Sequence, residues 1–128
     1  MDIPQGDARY DAATANLGAS YKIPTRDQCY ELKDGTNYTW TSINGVNGIK
    51  LTSKKNSDMY IFLPAGGYWV ETIHGNKNGD GRYWTTTWDR SLYAWHATIA
   101  SGGLGSQTIG TFAGLTVRAI SKMLSQFF

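Results

Sequence analysis

The chain has 128 residues, 41% of them hydrophobic and 17% charged, with a formal net charge of +2. That length holds one domain around one core, and the balance excludes disordered chains and strongly basic nucleic-acid binders. The twelve Lys and Arg are scattered, the densest run being Lys54-Lys55, so no nucleic-acid partner is expected.

The chain opens on MDIPQGDARYD, which lacks the apolar centre of a signal peptide. Next, DAATANLG is helix-compatible, with Gly18 as a C-cap. A second helix is predicted from Thr25, an N-cap set directly after Pro24, with Asp27 and Gln28 in its first turn and Cys29 and Leu32 on one face. It is expected to end before Asp34 and Gly35. Beyond Gly35 the signals change to short strands: residues 38–42, 48–54 and 59–64 are alternating or apolar runs separated by turn-forming INGVNG and KNSD. Residues 73–81 read as a long polar loop. Four further strands follow in YWTTTW, LYAWHATIA, SQTIGTF and LTVRAIS, and SKMLSQFF forms a C-terminal tail over 121–128.

The aromatic stretch GRYWTTTWDRSLYAWHAT divides by alternation. Tyr93, Trp95, Ala97 and Ile99 share one strand face and Ala94, His96 and Thr98 the other. The first set, with Trp84, is expected to wall the core. His96 and Thr98 are expected to face outward, and Trp88, Asp89 and Arg90 to form a turn with Trp88 exposed.

Chemical motifs are incomplete. Cys29 is the only cysteine, which excludes an intrachain disulfide, a four-cysteine zinc site and a CxxC redox pair. Asn76, Asn78, Asp80 and Gly81 imitate the start of a calcium loop, but the twelfth position is Thr87 in place of a bidentate Glu. A weak calcium shared by Asp80 and Asp89 is the one metal reading considered. His74 and His96 have no second ligand at a helical offset. No GxSxG elbow and no phosphate loop occurs. No metal, cofactor or catalytic residue is assigned. Asn37-Tyr-Thr39 is a sequon without an accompanying secretory signal. No apolar run approaches the roughly twenty residues of a membrane span, so no membrane insertion is expected.

Four segments together resemble a known family: AATANLGASYKIPTRDQCYEL, YTWTSINGVNGIKLTSKKNSDMYIFLPAGGY, RYWTTT with YAWHATIASG, and GLTVRAI. They are similar to the W-R-[ML]-P-T, F-L-P-A-A-G, Y-W-[ST]-S-[ST] and G-x-S-V-R-P-V blocks of the Fibrobacter succinogenes major paralogous domain family, over about residues 11 to 120. Tyr21, Cys29 and Ala119 depart from the family's Trp, aromatic and Pro. The resemblance implies an α+β, C-type-lectin-like fold: a single domain with two short N-terminal helices packed on a twisted antiparallel sheet and a long loop-rich half. The sugar-binding EPN, QPD and WND motifs of lectins are missing, and one cysteine falls short of the pair used by formylglycine-generating relatives.

Family members occur in bacterial surface proteins and in phage proteins of gut bacteria, some diversified by retroelements in their last third. The resemblance therefore implies a non-catalytic, receptor-binding domain on a virion or cell surface. Its partner would be a bacterial surface ligand, glycan or protein. The matching site positions are Trp88, Asp89, Arg90, His96, Thr98, Gln107, Thr108 and Thr111. Two other classes stand beside this reading: an assembly module of a virion or surface protein, and a glycan-active enzyme with a carboxylate pair that sequence does not reveal. Met123, Leu124, Phe127 and Phe128 form an apolar tail that suggests a homo-oligomer.

Overall fold

A computed structural model describes residues 4–70, 72–90, 92–111, 113–118 and 120–121. The first helix is organised by Asp11, which is completely buried. One carboxylate oxygen accepts from the amides of Ala13 and Thr14, which caps helix α1, Ala12–Leu17. The same carboxylate accepts from the amides of Gly6 and Ile23. A single side chain thus ties the entry loop, α1 and the chain beyond strand β1, Tyr21–Lys22, and satisfies helix-end donors that have no intrahelical acceptor. Helix α2, Arg26–Asp34, starts at Thr25 with a reciprocal capping box to Gln28.

Strands β2, Thr36–Ile43, β3, Val46–Ser53, and β4, Tyr60–Pro64, make a meander. The turn between β2 and β3 needs only Asn44 and Gly45, both at positive φ, the Asn-Gly chemistry of a tight hairpin. A small hairpin follows, β5, Tyr68–Val70, with β6, Ile73–Gly75. The second meander contains β7, Gly81–Arg90, β8, Tyr93–Ala100, and β9, Gly103–Gly110. Finally β10, Ile120–Ser121, returns to pair with β1.

This architecture corrects the expected α+β fold. The described residues are mostly β, 52% strand against 13% helix, and their strands form four small antiparallel sheets without a closed barrel. The second half is not loop-rich. Ile73, His74 and Gly75 pair with β5 where a polar loop was expected, and the turn shrinks to residues 76–79. Local turn composition marked a wider region than the turn occupies, because Asn76 and Asn78 alone supply its positive φ. Residues 115–118, expected within a strand, contribute only an isolated bridge between Thr116 and Tyr83.

The core lies between α2 and the two meanders. Cys29 from α2 meets Ile49 and Leu51 from β3, Leu63 from β4, and Tyr83, Ala97, Ile99 and Leu104 from β7 to β9. Ile99 is the expected core residue that sits deepest, with no exposed surface. Trp84 and Trp95 are half-buried and Tyr93 is 38% exposed, so the aromatic wall expected from them is corrected. Aliphatic side chains hold the central positions instead, Ile49 and Leu51 from β3 and Ile99 from β8. None of the described helices is long and apolar enough to cross a membrane. The apolar tail over 122–128 lies outside the described residues.

Candidate functional site

The β7–β8–β9 sheet has two unlike faces. On the inner one, Ala97 and Ile99 pack into the core beside Cys29 of α2, and the Arg26 guanidinium lies 4.6 Å from the Trp95 ring centroid. The register fixes the outer face. Arg82, Thr98 and Gly105 form one row across the three strands; Trp84, His96 and Gln107 form the next; Trp88, Ala94 and Ile109 form a third. Directly paired residues project to the same side of a sheet, so these nine share one side, on which Gln107 is exposed and Ala94 and His96 are buried.

Between Trp84 and Trp88 the β7–β8 pairing is irregular. Thr85, Thr86 and Thr87 fill the extra length, and they are held: Thr85 Oγ1 donates to the Trp95 carbonyl at 2.6 Å, the Thr86 amide to the Pro24 carbonyl at 3.0 Å, and the Arg26 amide to Thr87 Oγ1 at 3.0 Å. The two extra residues leave Trp88 on the face of Trp84, as its even spacing does, and set it opposite Ala94.

Trp88 therefore lies within β7 and is half-buried, which corrects its expected place in an exposed turn. Asp89 beside it is exposed, and the side chain of Arg90 lies outside the described residues. His96, expected outward, is on the outer face but fully buried. It sits in the central strand, flanked by Trp84 and Gln107 in its row and by Ala94 and Thr98 along β8. Alternation assigns a side, but bulky neighbours on both flanking strands can close over a middle position. Thr98 is half-buried and Gln107 exposed. Thr108 faces the opposite way, paired with Trp95. Thr111 is exposed past the end of β9, where its amide donates to the Leu92 carbonyl at 2.8 Å. The structure thus gathers Trp88, His96, Thr98 and Gln107, and separates Thr108 and Thr111 from them.

Sequence reasoning missed Arg82 and Tyr68, and considered Asp80 only as a calcium ligand. Arg82 Nη2 lies 3.6 Å from Asp80 Oδ2, which also accepts from Asn76 Nδ2 at 3.1 Å. The Arg82 guanidinium stacks 4.0 Å from the Tyr68 ring centroid, a geometry that stabilises a partly desolvated cation. Alternation backwards from Trp84 would have placed Arg82 on the same face. Both nitrogens of the His96 ring, Asp80 Oδ1 and Arg82 Nε are buried without a hydrogen-bond partner among the described residues. Burial, with the Arg82 charge adding to it and Asp80 opposing, pushes the His96 pKa down to about 4. His96 is therefore a neutral imidazole at physiological pH.

A calcium shared by Asp80 and Asp89 is ruled out by β7 itself. Asp80 precedes it and Asp89 is its next-to-last residue, so the two lie roughly 20–30 Å apart at about 3.3 Å per residue, the bulge allowed for. The described residues contain no cluster of three or more His, Cys, Asp or Glu side chains suited to a metal.

Neither family models, nor curated proteins, nor solved structures gave a match to this chain.

Proposed function

We propose that the chain is a non-catalytic recognition domain, carried on a virion or cell surface, that binds a bacterial surface ligand, glycan or protein, through the outer face of β7–β8–β9. The observation that carries this reading is the grouping of Trp84 and Trp88 with Arg82, Thr98 and Gln107 on one side of a sheet whose other side is occupied by the core. Indole rings offer large rigid contact area at low conformational cost, and the polar neighbours add directional hydrogen bonds. His96, enclosed beneath them, positions the face and does not touch the ligand. Membership in the Fibrobacter succinogenes major paralogous domain family, with its retroelement-diversified surfaces, belongs to the same proposal and rests on the four sequence segments. So does a homo-oligomer formed through the apolar tail.

The test is binding of the purified chain to whole gut bacteria and to a glycan array. Gln107→Glu alters an exposed side chain, and Trp88→Ala removes an indole from the face. Both variants should lose binding, the first with an unchanged melting temperature. Binding that survives both would overturn the assignment of the face, and turnover of any arrayed glycan would overturn the non-catalytic reading. Removing residues 122–128 should convert an oligomer to monomer in size-exclusion chromatography; a full-length monomer would refute the role of the tail.

A further inference from the structure

On the core side of the molecule, away from the Trp84–His96–Gln107 row, a cleft of about 440 Å³ opens between the last turn of α2, the start of β2 and the β8–β9 turn. That volume lies in the range of small-molecule sites. Its floor is aliphatic: Leu51 and Leu104, 1% and 8% exposed, project from β3 and β9. Tyr38 forms one wall. Its ring lies 3.2 Å from where a Cβ on Gly103 would stand, so the absent side chain at Gly103 is what lets the ring lie over the turn. Thr36 is buried and its hydroxyl already donates to the Leu32 carbonyl at 2.7 Å. Lys33 and Asn37 stand exposed at the rim, and Lys33 is the single charged residue among those lining the cleft.

We propose that this cleft binds a small organic carboxylate, its apolar body on Leu51, Leu104 and the Tyr38 ring and its negative group at Lys33. The chemistry of the lining selects this class. A sugar ring would set hydroxyls against Leu51 and Leu104, where they would lose water without gaining partners. A cation would face Lys33. An apolar body with one anionic end meets an apolar floor and one ammonium group, and the flat Tyr38 wall favours a planar body.

The experiment is an amide NMR titration of the full chain with phenylacetate and, at equal ionic strength, with its neutral counterpart phenylacetamide. Phenylacetate should shift the amides of Asn37, Gly102, Gly103 and Leu104 saturably. Phenylacetamide should bind about two- to fivefold more weakly, and Lys33→Gln should weaken phenylacetate by the same factor, as fits one partly solvated ion pair. Tyr38→Ala should abolish saturation. Both substituted residues are exposed, so shifts elsewhere in the spectrum should stay in place. No saturable shift up to roughly 20 mM, a bound set by weak small-ligand affinities, would overturn the proposal. Equal affinity for the amide would do the same, as would shifts confined to Trp84, Trp88 and Gln107. Because the cleft and the outer face share no residue, Trp88→Ala should leave this titration unchanged, so failure of one site is read separately from failure of the other.

Discussion

The amide of Ile23 donates to both carboxylate oxygens of Asp11, at 3.2 and 3.0 Å, across twelve residues of chain. Gly6, Ala13 and Thr14 present their amides to the same group. Asp11→Ala would strand these four donors in or near the interior. Buried donors without acceptors cost about 1–3 kcal/mol each, with strong non-additivity, so a net loss of about 3–5 kcal/mol is expected. Thermal denaturation should show a fall in melting temperature of more than about 10 °C. Asp11→Asn, which keeps one acceptor oxygen, should lose less. Equal losses in the two variants would contradict this account of the carboxylate.

His96 gives the protein an acid-sensitive stability. Its folded pKa is near 4, held there first by burial and next by the Arg82 charge, whereas an unfolded histidine titrates near 6.5. A depressed folded pKa means that the unfolded chain binds more protons between those values. The His96 contribution is therefore complete above about pH 6.5 and is lost as pH falls towards 4, by about 2 kcal/mol. Denaturant titrations from pH 7.5 to 4 should show this slope, and His96→Gln should flatten it. A slope unchanged in the variant would assign it to other groups.

At the alkaline end two buried groups act in the other direction. Burial raises the Cys29 thiol to about 12 and the Tyr83 phenol to about 12. Both favour the protonated form in the folded state. Their stability contribution is whole below the unfolded values, near 8.5 to 9 for the thiol and 10 for the phenol, and is lost as pH rises towards 12. Cys29 should also resist iodoacetamide at pH 8 in the native protein and react fully in denaturant, since the thiolate is the reactive form. Rapid native alkylation would show that the α2 face opens.

Gly67 combines a φ of +68° with contact to the next hairpin strand. A Cβ there would collide with the backbone carbonyl oxygen of Gly75, which cannot swing aside as a side-chain tip can. Gly67→Ala should lower stability by about 2–4 kcal/mol, a left-handed penalty added to overpacking. Denaturant unfolding measures the loss. A change under about 1 kcal/mol would mean that the β5–β6 hairpin shifts freely.

Much of the secondary structure was legible locally. Thr25 after Pro24, the Asn44-Gly45 pair and the alternation of β8 each act over a few residues, and each marked its element. What failed were properties set by distant neighbours. The surroundings of His96 are set outside its own strand, by Trp84 and Gln107 paired beside it and by the Arg82 and Asp80 charges. The place of Trp88 depends on three threonines anchored to Pro24, Arg26 and Trp95. Thr108 was read with Gln107 as one segment, but in a strand adjacent residues face opposite ways. The expected layering of two helices on one sheet failed because α1 buries only Ala13 and Thr14, too little surface to cover a sheet.

The pairing of Tyr21 with Ser121 and of Lys22 with Ile120 joins residues about a hundred positions apart. During synthesis the β1 strand must therefore wait, its edge open, until the last of these residues has left the ribosome. Closing so long a loop carries a large entropic cost that only contacts already made in between can lower. The two central meanders, whose partners are close in sequence, are suited to form first and bring the ends together. Closure of this clasp should be the slow, late phase of folding, and a nascent chain stopped short of Ile120 should expose Tyr21 and Lys22 to proteases that spare the finished protein.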